Sequence, residues 1–144
     1  MTKGIQFAKI WYDDDVIEVR VTVSDGISTF VNEVYVGHQV ISDTVSALGR
    51  FKEHVHGGLL DIRFGEFGPE YASGAFHSRF HFPKPGRLYI TCRQESGFSE
   101  FATKTVASCA TLYIASEPVL LDRFIAQLSA LASGRREEAF LEAV

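Results

Sequence analysis

Alternation of apolar and polar residues dominates the first quarter of the chain and predicts three strands. Residues 5–11 form a short apolar-rich run, and residues 17–23 alternate Ile and Val with charged or hydroxyl side chains. A period of two places one face of a strand in the core and the other in water. Asp25-Gly26 is a two-residue hairpin signal, and residues 27–36 are rich in β-branched and aromatic side chains. We expect these segments to form an antiparallel meander.

Two later segments carry the three-and-four spacing of an amphipathic helix. The first covers residues 38–55 and ends at the glycine pair 57–58, which suits a left-handed cap. The second begins after Ser-Glu-Pro at 116–118, where Ser can cap the helix and proline does no harm. The apolar stripe of the first helix consists of Ile41, Val45, Leu48, Phe51 and Val55.

Further strands are predicted between the two helices. They are connected by turns and have one apolar face, which indicates an antiparallel sheet, and the helices need such a face to cover. The sequence therefore predicts an α+β fold: an antiparallel sheet of about six to seven strands with two main helices packed on one face. We expect a single domain over residues 1–134, with residues 135–144 as a C-terminal tail or short helix. The strand segments after the first helix are residues 60–64, 74–82, 87–93 and 103–115.

Composition and charge narrow the function classes. The chain has 144 residues, of which 46% are hydrophobic and 22% charged, and its net charge is −4 at pH 7. This balance suits one soluble domain, and it disfavours a protein that holds nucleic acid through its phosphates. The sequence shows neither a signal-peptide core nor an apolar run long enough to span a bilayer. We therefore expect a cytoplasmic protein without membrane association.

Motifs for metal, cofactor or nucleophile chemistry are weak or missing. His77 and His81 lie four residues apart on one strand, which separates them by ~13 Å, too far to share a zinc ion easily. The acidic residues 13–15 lack the spacing of a calcium loop. Cys92 and Cys109 are expected to be about 13 Å apart, because Cys109 would face a position near residue 88, and a disulfide cannot form at that distance. No phosphate-binding loop or nucleophile elbow is present. We expect no catalytic residue, no metal and no cofactor, and hence a non-enzymatic protein.

One polar sheet face is richer in arginine and aromatic residues than a solvated surface requires. Such side chains often form cross-strand pairs only. However, Arg and Tyr are also enriched at interaction hot spots, and in an acidic chain their concentration predicts a docking face for an acidic protein. Single-stranded RNA is a weaker alternative because of the net charge. The candidate partner-binding residues are Arg63, His77, Arg79, His81, Tyr89 and Arg93.

The order of elements also resembles a known class of proteins. A short first strand, the acidic turn WYDDD, a hairpin, the helix ISDTVSALGRF, more strands and the closing strand and helix TLYIASEPVLLDRFIAQL fill nearly the whole chain. This layout is similar to the small bacterial immunity proteins that neutralise polymorphic or contact-dependent toxins. The resemblance implies a protein that binds a cognate toxin domain directly and shares no catalytic residues with its relatives. The alternatives are a homo-oligomeric domain, such as a homodimer formed through an edge strand or the apolar tail 139–144, and a small-ligand-binding or enzymatic domain.

Overall fold

The computed structural model describes residues 2–144, and within them the chain forms ten strands and two helices. In chain order these are β1 (Gly4–Tyr12), β2 (Val16–Ser24), β3 (Thr29–Gly37), α1 (His38–Phe51), β4 (Leu59–Gly65), β5 (Ser73–Lys84), β6 (Arg87–Gly97), β7 (Ser99–Phe101), β8 (Lys104–Val106), β9 (Cys109–Ser116), α2 (Pro118–Ala132) and β10 (Glu138–Glu142).

The first sheet has the strand order β10-β1-β2-β3, and all its pairs are antiparallel. The meander β1-β2-β3 agrees with the prediction. Its second hairpin closes because Asp25 Oδ1 accepts hydrogen bonds from the backbone N–H groups of Ile27 (2.9 Å) and Ser28 (2.7 Å). Gly26 takes a positive φ of 92°, which glycine adopts readily. The sequence signal Asp-Gly thus corresponds to a turn that the aspartate side chain stabilises.

The second sheet has the order β4-β5-β6-β9, again antiparallel throughout. The two-stranded ribbon β7-β8 extends the connection between β6 and β9. The predicted strand over residues 103–115 is therefore divided between β8 and β9. The α+β class with antiparallel strands is confirmed, and the strands are distributed over two four-stranded sheets and a ribbon.

Two sheets form because each covers the apolar face of the other. The ring of Phe7 on β1 lies 5.4 Å from that of Phe64 on β4 and 5.6 Å from that of Phe76 on β5. Helix α2 joins the same core, where Phe124 lies 5.7 Å from Phe7. Helix α1 packs Phe51 on β5, and the two helices contact each other. The helices therefore complete a core that the two sheets share.

The chain end is a strand, so the predicted tail or short helix over residues 135–144 is wrong. Strand β10 pairs with β1, placing Ala139 and Leu141 in the core and Glu138 and Glu142 outside. This alternation has a period of two, but the segment is short and made of good helix formers. Pairing with β1 overrides that local preference. The segment belongs to the same packed unit as the rest of the chain.

A buried polar joint connects the two sheets. Asn32 on β3 donates hydrogen bonds from Nδ2 to the backbone oxygens of Ala75 and Glu95, both at 3.0 Å. Gln94 Nε2 in turn donates to Asn32 Oδ1 at 2.8 Å. Both amide side chains are buried, so these hydrogen bonds replace solvation that the bonded groups have lost, whereas Gln94 Oε1 has no hydrogen-bond partner among the described residues. The joint holds β3 against the ends of β5 and β6.

Candidate partner-binding face

All six predicted partner-binding residues lie on the outward face of the second sheet. The inward positions of β4 are Ile62 and Phe64, so alternation directs Arg63 to the other side, and β5 and β6 follow the same rule. The register aligns Arg63 with His77 and His77 with Arg93, while His81 is opposite Tyr89. We call this surface the basic face; it consists of Arg63, His77, Arg79, His81, Tyr89 and Arg93.

The basic face is open to solvent. The three arginines and Tyr89 are exposed, and the two histidines are half-buried. Helices α1 and α2 pack on the apolar side of the sheets, through Phe51 and Phe124. The side chains of this face are therefore accessible to another molecule, while their backbone is held in a four-stranded ladder.

Asp61 organises one half of the face. Arg79 donates from Nε to Oδ1 (2.9 Å) and from Nη2 to Oδ2 (3.1 Å), and His77 Nε2 lies 3.0 Å from Oδ1. The hydrogen bonds from Arg79 lower the pKa of Asp61 to about 2 against its ordinary 3.8. Asp61 is thus ionised at neutral pH and holds Arg79 against the sheet. Within residues 2–144, Arg63 and Arg93 have no such carboxylate partner.

Arg93 is positioned by an aromatic ring from the β4-β5 loop. Its guanidinium carbon lies 4.5 Å from the centroid of Phe67, a cation–π geometry. Glu95 Oε1 accepts a hydrogen bond from the Gly68 backbone N–H at 2.8 Å and so holds this loop against the sheet. Beside the pair lies an open hollow of about 260 Å³ that Cys109 also lines. The Arg93 guanidinium is therefore held in place by Phe67 at the edge of this hollow.

Sequence reasoning missed two exposed side chains that extend the face. Tyr113 on β9 is 69% exposed and lies in the same cross-strand row as Asp61 and Arg79. Leu59 on β4 is exposed opposite His81. The signal for Tyr113 is present in the sequence, since buried residues flank it on both sides and alternation directs it outward.

The cysteines do not lie where the sequence places them. Cys109 pairs with Glu95, and Cys92 with Leu112, because the β7-β8 ribbon moves the turn of the hairpin to residues 102–103. Both thiols are free. Burial raises the pKa of Cys92 to about 12, so it is a neutral thiol in the core, whereas Cys109 is exposed. In the part of the chain that the structure describes, no three His, Cys, Asp or Glu side chains are grouped to hold a metal ion.

Comparisons of this chain with protein families, with curated proteins and with solved structures give no match. The resemblance to immunity proteins and the docking role of the basic face therefore stay predictions. Among residues 2–144, no helix has both the length and the apolar character needed to cross a membrane.

Proposed function

We propose that this protein is a non-enzymatic binding module that docks an acidic partner protein on its basic face. The observation that supports the proposal is the concentration of three arginines and two tyrosines on one uncovered sheet face. Arg and Tyr are residue types that dominate binding energy in protein interfaces. The aromatic members are Tyr89 and Tyr113, both exposed.

Preorganisation favours this surface over a flexible one. Strands hold the backbone, Asp61 holds Arg79, and Phe67 supports Arg93. Side chains that are already ordered lose less conformational entropy on binding, which otherwise costs ~0.5–1.5 kcal/mol for each long side chain. More of the energy of the contacts with a partner would therefore remain as binding free energy.

The local charge is opposite to that of the whole chain. Arg63, Arg79 and Arg93 against Asp61 and Glu95 on the same side of the sheet give a formal charge of +1, whereas the chain carries −4. Complementary charge steers association and excludes partners of the same sign. We infer an acidic surface on the partner.

The partner class comes from the resemblance in layout. A protein of the immunity class would bind a cognate toxin domain directly, in a stoichiometric complex. We propose that the basic face occupies an acidic surface of such a domain and that inhibition follows from steric coverage. This function needs no catalytic residue on the immunity protein.

The decisive experiment reverses charge on the face and measures binding. A tagged wild-type chain captures its partner from host lysate, and calorimetry with the purified partner gives the dissociation constant. We expect Arg63→Glu with Arg93→Glu to weaken binding by at least about 100-fold, because two charge pairs across the interface become repulsive. Arg79 stays unchanged, since its loss would also leave Asp61 without its main partner.

The matched control is Arg123→Glu with Arg135→Glu, which changes the net charge equally at exposed positions outside the face. This control should bind within about threefold of wild type, since distant charges are screened. Equal affinity of the face variant and wild type would eliminate the basic face as the docking surface. Equal losses in both variants would show a response to net charge alone.

The homo-oligomer alternative, which rested on an edge strand or on the apolar tail 139–144, loses part of its support from the tail. The apolar side chains of the tail, Ala139 and Leu141, are buried within the fold rather than offered to a second copy. Strand β10 is also paired with β1 along its length. The tail therefore offers a second copy chiefly Val144, which is 44% exposed, while pairing through an edge strand such as β10 stays an alternative.

A further inference from the structure

A groove of about 400 Å³ lies on the outward face of the other sheet. Its floor is formed by β2 and β3, and its opposite wall is formed by Ser73 at the start of β5 and by Ser96 and Gly97 at the end of β6. The side chains that give it chemical character are Glu18, Arg20, Glu33 and Tyr35. None of these residues belongs to the basic face.

The groove is built by a close crossing of the two sheets. A Cβ atom on Gly74 would lie 2.2 Å from the backbone oxygen of Glu33, so only glycine allows β5 to approach β3 at this point. The hydrogen bonds of Asn32 to Ala75 and Glu95 hold the same crossing from the buried side. The wall is thus held by backbone contacts and a buried amide, and the groove exists before any ligand binds.

Large aromatic side chains stand exposed along the rim. Trp11 and Tyr35 are 47% and 48% exposed, with ring centroids 6.5 Å apart in an edge-to-face arrangement. Tyr12, the next residue, is paired with the buried Ile17 and so faces the other side of the sheet, where Lys9 Nζ lies 5.1 Å from its ring centroid. The exposed rings of Trp11 and Tyr35 are therefore the two that stand on the groove's side of the sheet, and such rings attract a cation.

The groove and its rim are acidic. Glu18 is directly opposite Tyr35 in the pairing of β2 with β3, and its carboxylate raises the pKa of Tyr35. Arg20 Nη2 pairs with Glu33 Oε2 at 3.1 Å and neutralises that second carboxylate. The turn of residues 13–15 adds three aspartates beside the rim. Glu18 and Glu33 against Arg20 give the lining of the groove a formal charge of −1, before the three aspartates of the turn are counted.

We propose that this groove binds an arginine side chain of a basic polypeptide segment on a partner protein. A guanidinium can stack on an aromatic ring and pair with a carboxylate at the same time, which an ammonium does less well. The second sheet shows both contacts within this chain, between Arg79 and Asp61 and between Arg93 and Phe67. In the groove, Glu18 supplies the carboxylate. The proposal does not depend on the function assigned to the basic face.

Trp11 provides a direct readout, because it is the only tryptophan of the chain and lies on the rim. We would titrate the full chain with a capped hexa-arginine peptide and follow tryptophan fluorescence at low ionic strength. We expect a saturable change. Glu18→Gln should weaken binding about tenfold, since it removes the charge-assisted pair and keeps the shape of the side chain.

Control variants separate the groove from general attraction. Glu53→Gln removes one exposed carboxylate outside the groove and should bind like wild type. Tyr35→Ala removes the stacking ring and should weaken binding, whereas Tyr35→Phe keeps the ring and should retain most of it. Circular dichroism and thermal melting establish that each variant is folded. Arg63→Glu with Arg93→Glu should leave peptide binding intact, which keeps this test independent of the basic face.

Three outcomes would overturn the proposal. One is that a capped hexa-lysine peptide binds as tightly as the hexa-arginine peptide and that Glu18→Gln and Glu53→Gln lower the affinity equally. This result would show that the peptide responds to net charge only. Another is a titration without any saturable change in Trp11 fluorescence. The third is a fluorescence change on diluting the protein alone, accompanied by a change in its mass in solution, since a second copy would then be the occupant.

Discussion

The buried joint between the sheets offers a sharp test of how the fold is held together. We expect Asn32→Ala to lower the free energy of unfolding by about 2–4 kcal/mol. Asn32 is 4% exposed and takes part in hydrogen bonds with Ala75, Glu95 and Gln94. Each bond contributes ~1 kcal/mol net, and the partners left without it remain buried, which adds a desolvation cost. Urea unfolding followed by circular dichroism measures the change.

A double-mutant cycle isolates the contact between the two amides. Gln94→Ala combined with Asn32→Ala should show a coupling of ~1 kcal/mol or more, because Gln94 Nε2 donates directly to Asn32 Oδ1. The control is Gln39→Ala, whose amide hydrogen bond to Asp43 is exposed. It should cost no more than about 0.5 kcal/mol. If Asn32→Ala costs as little as this control, the joint does not carry the stability that its burial implies.

Three further predictions test other parts of the structure. Leu141→Ala should cost about 2–5 kcal/mol in the same urea assay, because the side chain is fully buried, whereas a frayed tail would give no change. Asp61 has a folded pKa of about 2, below its ordinary 3.8, so it stabilises the fold above pH 4 and this contribution is lost as the pH falls toward 2. Asp61→Asn should remove this part of the pH dependence of the free energy of unfolding. The change should be less than about 1 kcal/mol, because the ion pair is partly exposed. An acid-unfolding transition identical to that of wild type would contradict the ion pair. Cys109 alone should react with a disulfide reagent in the native state, and both thiols should react in denaturant. Rapid reaction of Cys92 in the native state would show that the core around it opens to solvent.

Local pattern was sufficient for the elements whose pairing partners are neighbours in sequence. The alternation in β2 and the Asp25-Gly26 turn predicted the first meander, because a hairpin needs only a register and a turn. The same rule collected the six residues of the basic face on one side of three consecutive strands. Local alternation within each strand was therefore enough to predict that these six side chains face away from the core.

Features that depend on distant pairing could not be read in this way. Strand β10 forms because β1, more than 100 residues earlier, offers it an edge and a buried surface, and nothing in residues 138–142 alone distinguishes it from a helix. The ion pair of Asp61 with Arg79 likewise needs the β4-β5 register, which alternation leaves undetermined by multiples of two. The joint of Asn32 with Gln94 joins residues that are 62 positions apart. Asn32 and Gln94 each interrupt the apolar face of their strand, and this break in the pattern could have been noticed in the sequence.

The division into two sheets also changes what the net charge says about partners. A single sheet covered by helices would offer one open face, whereas two sheets packed on each other leave an outward face on each. The chain uses one for Arg63, Arg79 and Arg93 and the other for Glu18, Glu33 and the rim of Trp11. Charges are screened over ~8 Å at physiological ionic strength, so an approaching partner responds to the face it meets and less to the total of −4. The two proposed partners, an acidic protein and a basic segment, would therefore each meet a surface of opposite charge on the same small domain.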